Sequence, residues 1–347
     1  NHSSTPNFLN AHFKCIFVHR IVRAGELWQR KLVELQEQEA TELLAQLRRQ
    51  HHFENSQRTC ISTVLSMIPS LRKSIVQQLE SESLTAVLKS KPANKLEIWE
   101  DLKILGFSRA IVAVYSTSTL AVLLCVQLNI IGGYIYLDNR VENFGLSYGA
   151  QQRYLSSVEH LLGDGMESSF FRSPFLVIVE SCRIDLHSSQ INILLINGCC
   201  SYSCAVNLIS GCSLLKFCFM VVLQARISTD EERTTLKLLD ETRDMMESHD
   251  FNLVLQSCLD IGFARLMDNV GRFFEPSSAP LPEHSRVNSW LTNPSLPLAK
   301  LIPIFNGQVH SICSDTPNHF IQELLTMDVI ENFAANLYEA FSTPEQL

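Results

Sequence analysis

The sequence predicts an all-α fold, and three observations carry that prediction. Apolar residues recur three or four apart over most of the chain, capping and proline signals punctuate those stretches, and no two-residue alternation runs long enough to build a sheet. From about Gly25 to Arg49, Leu27, Trp28, Leu32, Leu35, Leu43, Leu44 and Leu47 fall mostly three or four apart among Glu, Gln and Arg, the pattern of one long amphipathic helix. Leu71, Ile75 and Leu79 repeat the spacing after Pro69. Leu84, Val87 and Leu88 form a last turn or two before Pro92, and a new helix is expected from near Asn94 with Leu96, Ile98, Trp99, Leu102 and Leu105.

Ala110 to Leu137 carries no charged side chain and exceeds the roughly 20 residues that a membrane span needs. Ser116, Thr117, Ser118, Thr119, Gln127 and Asn129 are a heavy polar load for lipid, so the stretch reads as a buried central helix, broken at Gly132-Gly133. Gln151 to Leu162 is helical by pattern. Residues 166–226 are atypical: apolar, rich in Cys and weak in periodicity. A capping box at Ser228-Thr229-Asp230-Glu231-Glu232 opens a helix with Leu236, Leu239 and Met246, and another runs from Phe251 to Phe274. The prolines from Pro276 to Pro297 mark a long surface loop, after which Leu298–Cys313 and Phe320–Phe341 read as two closing helices.

The chain is 46% apolar and only 18% charged, against about a quarter charged in an average domain, which fits helices buried on more than one side. A net charge of −8 excludes nucleic acid as the main partner, because phosphate binding requires clustered Lys and Arg. Eleven cysteines without framework spacing indicate a reducing compartment. Cys199, Cys200, Cys204, Cys212 and Cys218 contain no CxxC pair, and adjacent helical residues such as His51 and His52 point about 100° apart, so no metal site is expected. Gly145-Leu146-Ser147-Tyr148-Gly149 matches the G-x-S-x-G elbow of serine hydrolases, with Tyr134 to Leu137 as the strand that would precede it. The elbow needs a parallel sheet, and the β/α alternation that builds one is missing. With no phosphate loop, dinucleotide glycine pattern or H-E-x-x-H, the expectation is a binding protein, not an enzyme, without cofactor, metal or small-molecule substrate.

Lys95-Leu96-Glu97-Ile98-Trp99-Glu100-Asp101-Leu102-Lys103-Ile104, Leu128 to Asn139, Tyr154 to Gly165, Leu296 to Ile304 and Phe333 to Pro344 together resemble the peroxin-three family over 31–165 and 227–347. The resemblance implies a twisted bundle of long helices, facing the cytosol from the peroxisomal membrane. It also implies a groove that accepts an amphipathic helix of the chaperone peroxin-nineteen, which delivers new membrane proteins. By position, Leu88, Lys89, Lys95, Trp99, Leu102 and Lys300 match the groove. Lys95, Trp99 and Leu102, four and three apart, share one helix face, and an aromatic rimmed by lysines suits an acidic amphipathic helix; the alternative is that Trp99 is ordinary core.

Two departures from the family stand out. Residues 166–226 replace charged, helix-rich sequence, as a mispredicted exon would. Residues 1–24 occupy the place of the family's membrane anchor, ahead of a cytosolic domain at 25–347. There, Cys15-Ile16-Phe17-Val18 is followed by His19, Arg20 and Arg23, far short of a span. The chain opens on Asn1 and not Met, the mark of a fragment or an incomplete gene model. The competing readings are therefore a membrane docking receptor that contacts peroxisomal lipids, a soluble helical adaptor lacking an anchor, and a hydrolase using Ser147. The chain as written is expected to leave membranes on alkaline extraction; retention in the pellet would mean that another segment, with Ile191 to Leu215 the candidate, holds it there.

Overall fold

A computed structural model describes residues 6–138, 146–162, 230–274 and 298–343, and among these it contains helices and turns with no strand. The atypical segment 166–226, the proline-rich loop and the Ser228-Thr229 cap lie outside the described residues. The chain divides into two compact units, Asn1–Glu54 and Asn55–Leu347. Helix α1, Pro6–Gln78, runs through both.

Within the first unit the leucine stripe expected from the sequence is helical but uncovered: Leu27, Trp28, Leu32, Leu35, Leu43, Leu44 and Leu47 are all exposed. In the second unit α1 buries Cys60, Val64, Ile68, Leu71 and Ile75, at positions three or four apart. Pro69 does not end the helix, as its sequence suggests, but lies inside it. A proline there costs about 3 kcal/mol, yet each of the buried Ile and Leu side chains around it contributes roughly 1.5–3 kcal/mol, enough to carry the helix through.

The remaining helices among the described residues are α2 (Glu82–Lys89), α3 (Lys95–Asp138), α4 (Tyr148–Leu162), α5 (Asp230–Glu247), α6 (His249–Gly271, continued by a 3₁₀ turn), α7 (Leu298–Ile312), α8 (His319–Leu325) and α9 (Asp328–Ser342). The stretch expected as a single closing helix is two, α8 and α9. Asn318 opens α8 by accepting the Ile321 N–H at 3.0 Å. At its end the Thr326 hydroxyl donates to the carbonyls of Gln322 and Glu323, satisfying groups that would otherwise demand another turn.

Helix α3 is the axis of the second unit. It is the one helix among the described residues long and apolar enough to cross a membrane, but 89% of its most apolar window is buried in protein, as a core helix requires. α1 runs antiparallel to it: Ser56 donates to the Leu128 carbonyl and Gln57 to Asn129 at 2.7 Å, while Arg109 reaches the other end of α1 at Val76 and Leu79. α7 runs parallel to α3. Gly106 lies beside Ile302, Phe107 stacks on Phe305 with ring centroids 4.1 Å apart, and Thr117 meets Cys313. α6 and α9 pack on α3 as well, and α4 pairs with α5, where Tyr154 and Thr242 share a buried hydroxyl contact of 2.6 Å.

Gly132-Gly133 does not break α3, contrary to the expectation from the sequence. The pair is there for close approach. A methyl group on Gly133 would stand 2.7 Å from the backbone of Phe341 in α9, and one on Gly132 would stand 2.8 Å from the Ser56 hydroxyl in α1. Alanine in place of glycine normally gains a helix about 1 kcal/mol. Here the obstacle at Gly133 is backbone, which cannot swing aside, so Gly133→Ala is expected to destabilise the protein by about 1–3 kcal/mol, read as a lower urea midpoint at unchanged slope.

Candidate functional site

Five of the six residues singled out by sequence belong to the α2–α3 hairpin at one end of the second unit, and the sixth, Lys300, belongs to α7. α2 is eight residues long, too short to be stable alone, and five residues separate it from α3. The turn is specified locally. Ser90 and Lys91 return their N–H groups to the carbonyls of Val87 and Leu88, and Lys91 takes a left-handed backbone conformation with φ 55°. Pro92 follows, which cannot continue α2, and Asn94 opens α3, its side-chain amide donating to Glu97 at 3.3 Å.

Around this turn the six residues divide by environment. Lys89, Lys95 and Lys300 are exposed, Leu88 and Trp99 are half-buried, and Leu102 is buried at 7%. Lys95, Trp99 and Leu102 thus lie on a face that passes from solvent to core within two turns, and Trp99 stands at the transition instead of deep inside. Leu102 is under the surface and supports it from below. Lys300 comes from α7, whose parallel register with α3, fixed by Gly106 against Ile302 and Phe107 against Phe305, puts it near the level of Ile104, at the same end of the bundle.

Leu84, Val87 and Leu96 add to the apolar surface, and sequence reasoning did not include them. Leu96 is 80% exposed and Val87 46%, while Leu84 is half-buried. The signal was present: an exposed leucine in the first turn of a helix that has Glu97, Glu100 and Asp101 to show to water calls for a reason. Glu97 and Asp101 follow Lys95 and Trp99 by two residues each, about 200° around the helix, so the acids point away from the lysine face. Lys103 is buried and paired with Glu100.

Beneath the hairpin lies Arg109, with no exposed surface. Its guanidinium donates to the Leu79 carbonyl at 2.6 Å and the Val76 carbonyl at 3.3 Å, to both carboxylate oxygens of Glu82 at 3.2 Å, and to Asn306 Oδ1 at 2.9 Å. The last turn of α1 has no basic residue of its own, so Arg109 supplies the cation for that helix end. Asn306 in turn donates to the Ser81 hydroxyl at 3.1 Å. The hydrogen bonds from Arg109 hold the Glu82 carboxyl below its ordinary pKa.

The serine-hydrolase reading fails on geometry. Tyr134 to Leu137, the strand it requires, belongs to α3. Ser147 is an ordinary helix cap: its hydroxyl accepts the Ala150 N–H at 3.1 Å and donates to Glu231 at 3.1 Å, both interactions serving the α4–α5 pair. Cys60, Cys125 and Cys258 are buried in the core, where contact with Cys60 and then burial raise the Cys125 pKa, and burial pushes Cys258 up to about 12. Cys125 and Cys258 therefore stay protonated, and no cluster of metal-ligating side chains occurs among the described residues. A cavity of about 550 Å³ between α6 and α7, walled by Phe273, Pro303 and Ile304, contains none of the six predicted residues.

Comparison with known proteins gives a consistent answer. The model of the family described as Peroxin-3 matches residues 89–153 and 194–340; the second stretch opens inside 166–226, and the two include all of the predicted residues except Leu88. The chain is 50% identical to Peroxisomal biogenesis factor 3 of Homo sapiens over 369 aligned positions, covering 99% of each chain. It is 50% identical to that of Cricetulus longicaudatus over 98% of each. Peroxisome biogenesis protein 3-1 of Arabidopsis thaliana is 30% identical over 40% of this chain.

Removing the Ser147 hydroxyl separates a cap from a nucleophile. Ser147→Ala is expected to cost about 1 kcal/mol of stability through the lost cap, and a fluorophosphonate probe should leave wild type and variant equally unlabelled; labelling that depends on Ser147 would restore the hydrolase reading.

Proposed function

Because the chain belongs to the Peroxin-3 family, we propose that it serves peroxisome biogenesis as a docking receptor whose α2–α3 end binds an amphipathic helix of the chaperone peroxin-nineteen. The observation that carries this reading is the environment of Trp99. A large aromatic stands half-out of the core, with the exposed Leu96 and Lys95 three and four residues before it on the same side of α3, and the neighbouring α2, which packs on α3, carries the half-buried Leu84 and Leu88 and the exposed Val87 and Lys89. Apolar side chains of one helix fit such a surface at i, i+3, i+4 and i+7 spacing, and acidic residues flanking them would meet the lysines. Lys300 extends the basic rim from α7.

The reading puts the protein at the peroxisomal membrane, with the second unit in the cytosol where a chaperone can reach it. Docking there brings the chaperone's cargo next to the lipid that must receive it. No bond is made or broken in such a role, and the surface needs shape and charge, not a nucleophile. A soluble adaptor would use the same surface, so membrane retention separates the two readings while binding tests both.

Trp99→Ala is the decisive variant. An aromatic anchor at the centre of a helix-accepting surface contributes roughly 2–4 kcal/mol, so affinity for a peptide of the peroxin-nineteen helix is expected to fall about thirty-fold to nearly a thousand-fold, with helix content and melting temperature close to wild type. Lys95→Glu should weaken binding less, through the association rate, and its effect should shrink as salt rises. A strongly lowered melting temperature with near-native affinity in the folded fraction would make Trp99 core and reject the assignment.

A further inference from the structure

We propose that Arg109 is the positioning residue of the α2–α3 surface, setting how α2 stands against α3 and hence how tightly the partner helix binds, although the partner cannot touch it. The inference rests on the docking reading above and deepens it. Arg109 is fully enclosed, so any influence on a ligand is indirect. Its contacts are divided among three elements: the carbonyls that end α1, the Glu82 carboxylate that begins α2, and Asn306 on α7, which is far away in the chain.

α2 buries no residue fully and is joined to α1 by a three-residue link, so its own packing fixes it weakly. Glu82 is its first residue, and the carboxylate is held from two directions, by Arg109 and by the Ser81 N–H at 3.0 Å. Ser81 is itself buried and bonded to Asn306. One end of α2 is therefore pinned to a rigid centre, and beyond Glu82 the helix carries Leu84, Val87, Leu88 and Lys89. A small rotation about the pinned end moves all four relative to Trp99. The planar guanidinium matters as much as the charge, because a lysine ammonium cannot serve two carbonyls, a carboxylate and an amide in this spread.

The sign of the effect at Glu82 distinguishes positioning from direct electrostatics. Glu82 is 58% exposed in its side chain, so its replacement opens no cavity, although it takes the carboxylate away from the buried Arg109. If its charge acted on an acidic partner directly, removing it would relieve repulsion and tighten binding. Positioning predicts the opposite.

The test uses the full chain and a peptide of the peroxin-nineteen amphipathic helix, with Trp99→Ala as the control for docking itself. Glu82→Ala is expected to weaken binding roughly three- to thirty-fold, with faster hydrogen exchange in α2 and unchanged protection in α3 and α7. Glu82→Gln, which keeps an acceptor for Arg109, should recover most of the affinity, and the loss from Glu82→Ala should shrink in the Trp99→Ala background. Arg109→Lys should behave as Glu82→Ala where it folds, and the proposal stands or falls on Glu82→Ala where it does not. Wild-type or tighter binding by Glu82→Ala, with Trp99→Ala impaired, overturns the positioning role and leaves docking standing. Full affinity in Trp99→Ala overturns the docking reading and this proposal with it.

Discussion

A cation with no access to water is tolerated only where acceptors around it replace the lost hydration, and Arg109 gathers acceptors for both of its terminal nitrogens by drawing three helices together. Removing an ionised group from water costs several kcal/mol even after relaxation. The compensation comes from the Leu79 and Val76 carbonyls, the Glu82 carboxylate and Asn306, so the position of each is constrained by the others. α1 must end where its last carbonyls can face α3, α2 must begin where its first carboxylate can turn back, and α7 must present Asn306 between them. Only Nε is left without an acceptor among the described residues. Glu82 keeps contact with solvent, which spares the pair the full cost of a buried salt bridge.

The same economy explains α3. A helix buried on nearly all sides cannot be amphipathic, and its sequence shows no polar stripe. It carries small residues where neighbours come closest: Gly106 against α7, Gly132 against α1 and Gly133 against α9, with Gly262 of α6 doing the same from the other side against Val114. Its polar side chains are used between helices or within the turn. Gln127 donates to Ser157 of α4, Asn129 receives Gln57 of α1, and Thr117 meets Cys313. These contacts determine register as well as adhesion, because a helix with uniform apolar sides would pack almost as well after sliding by a turn. α7 is held against sliding by Phe107 on Phe305 and by Arg109 to Asn306, adjacent contacts whose registers agree to within one residue, and Lys300 is brought to the same end of the bundle as the start of α3.

Much of this was legible before any coordinates. Periodicity located the helices, and the polar load of Ala110 to Leu137 correctly argued for a core helix over a membrane span. The errors have one physical source. Pro69 and Gly132-Gly133 were read as interruptions because their cost is local and visible in sequence, whereas the packing that overrides it is spread over distant residues such as Phe341 and Ser56. The reverse error occurred at Thr326, where a break between α8 and α9 has no glycine or proline to announce it and depends on a hydroxyl satisfying the preceding carbonyls. At the candidate site, the Lys95–Trp99 face and the Pro92 turn were readable from spacing. That Leu102 is buried while Leu96 is open was not, because a helix shows which residues share a side but not how far the neighbouring elements climb over them. Arg109 was passed over altogether, a charged residue at the edge of an apolar run, where only the structure reveals what it holds.

A binding surface of this kind places contrary demands on one short stretch of chain. To receive a helix it must leave apolar side chains uncovered, which removes the burial that would otherwise fix their position. In α2, Leu84 and Leu88 are only half-buried and Val87 is open, so on the docking reading the contacts that would normally hold an eight-residue helix are the ones a partner would take up. Rigidity then has to come from polar contacts at the base, where they compete with nothing at the surface. Hydrogen bonds from a buried guanidinium suit this, being directional and indifferent to whether the apolar face is occupied. On the docking reading a division of labour would follow: Leu88, Trp99 and their neighbours would offer area, Lys89, Lys95 and Lys300 charge, and Arg109, Glu82 and Asn306 would keep the first two sets in a fixed relation before any partner arrives.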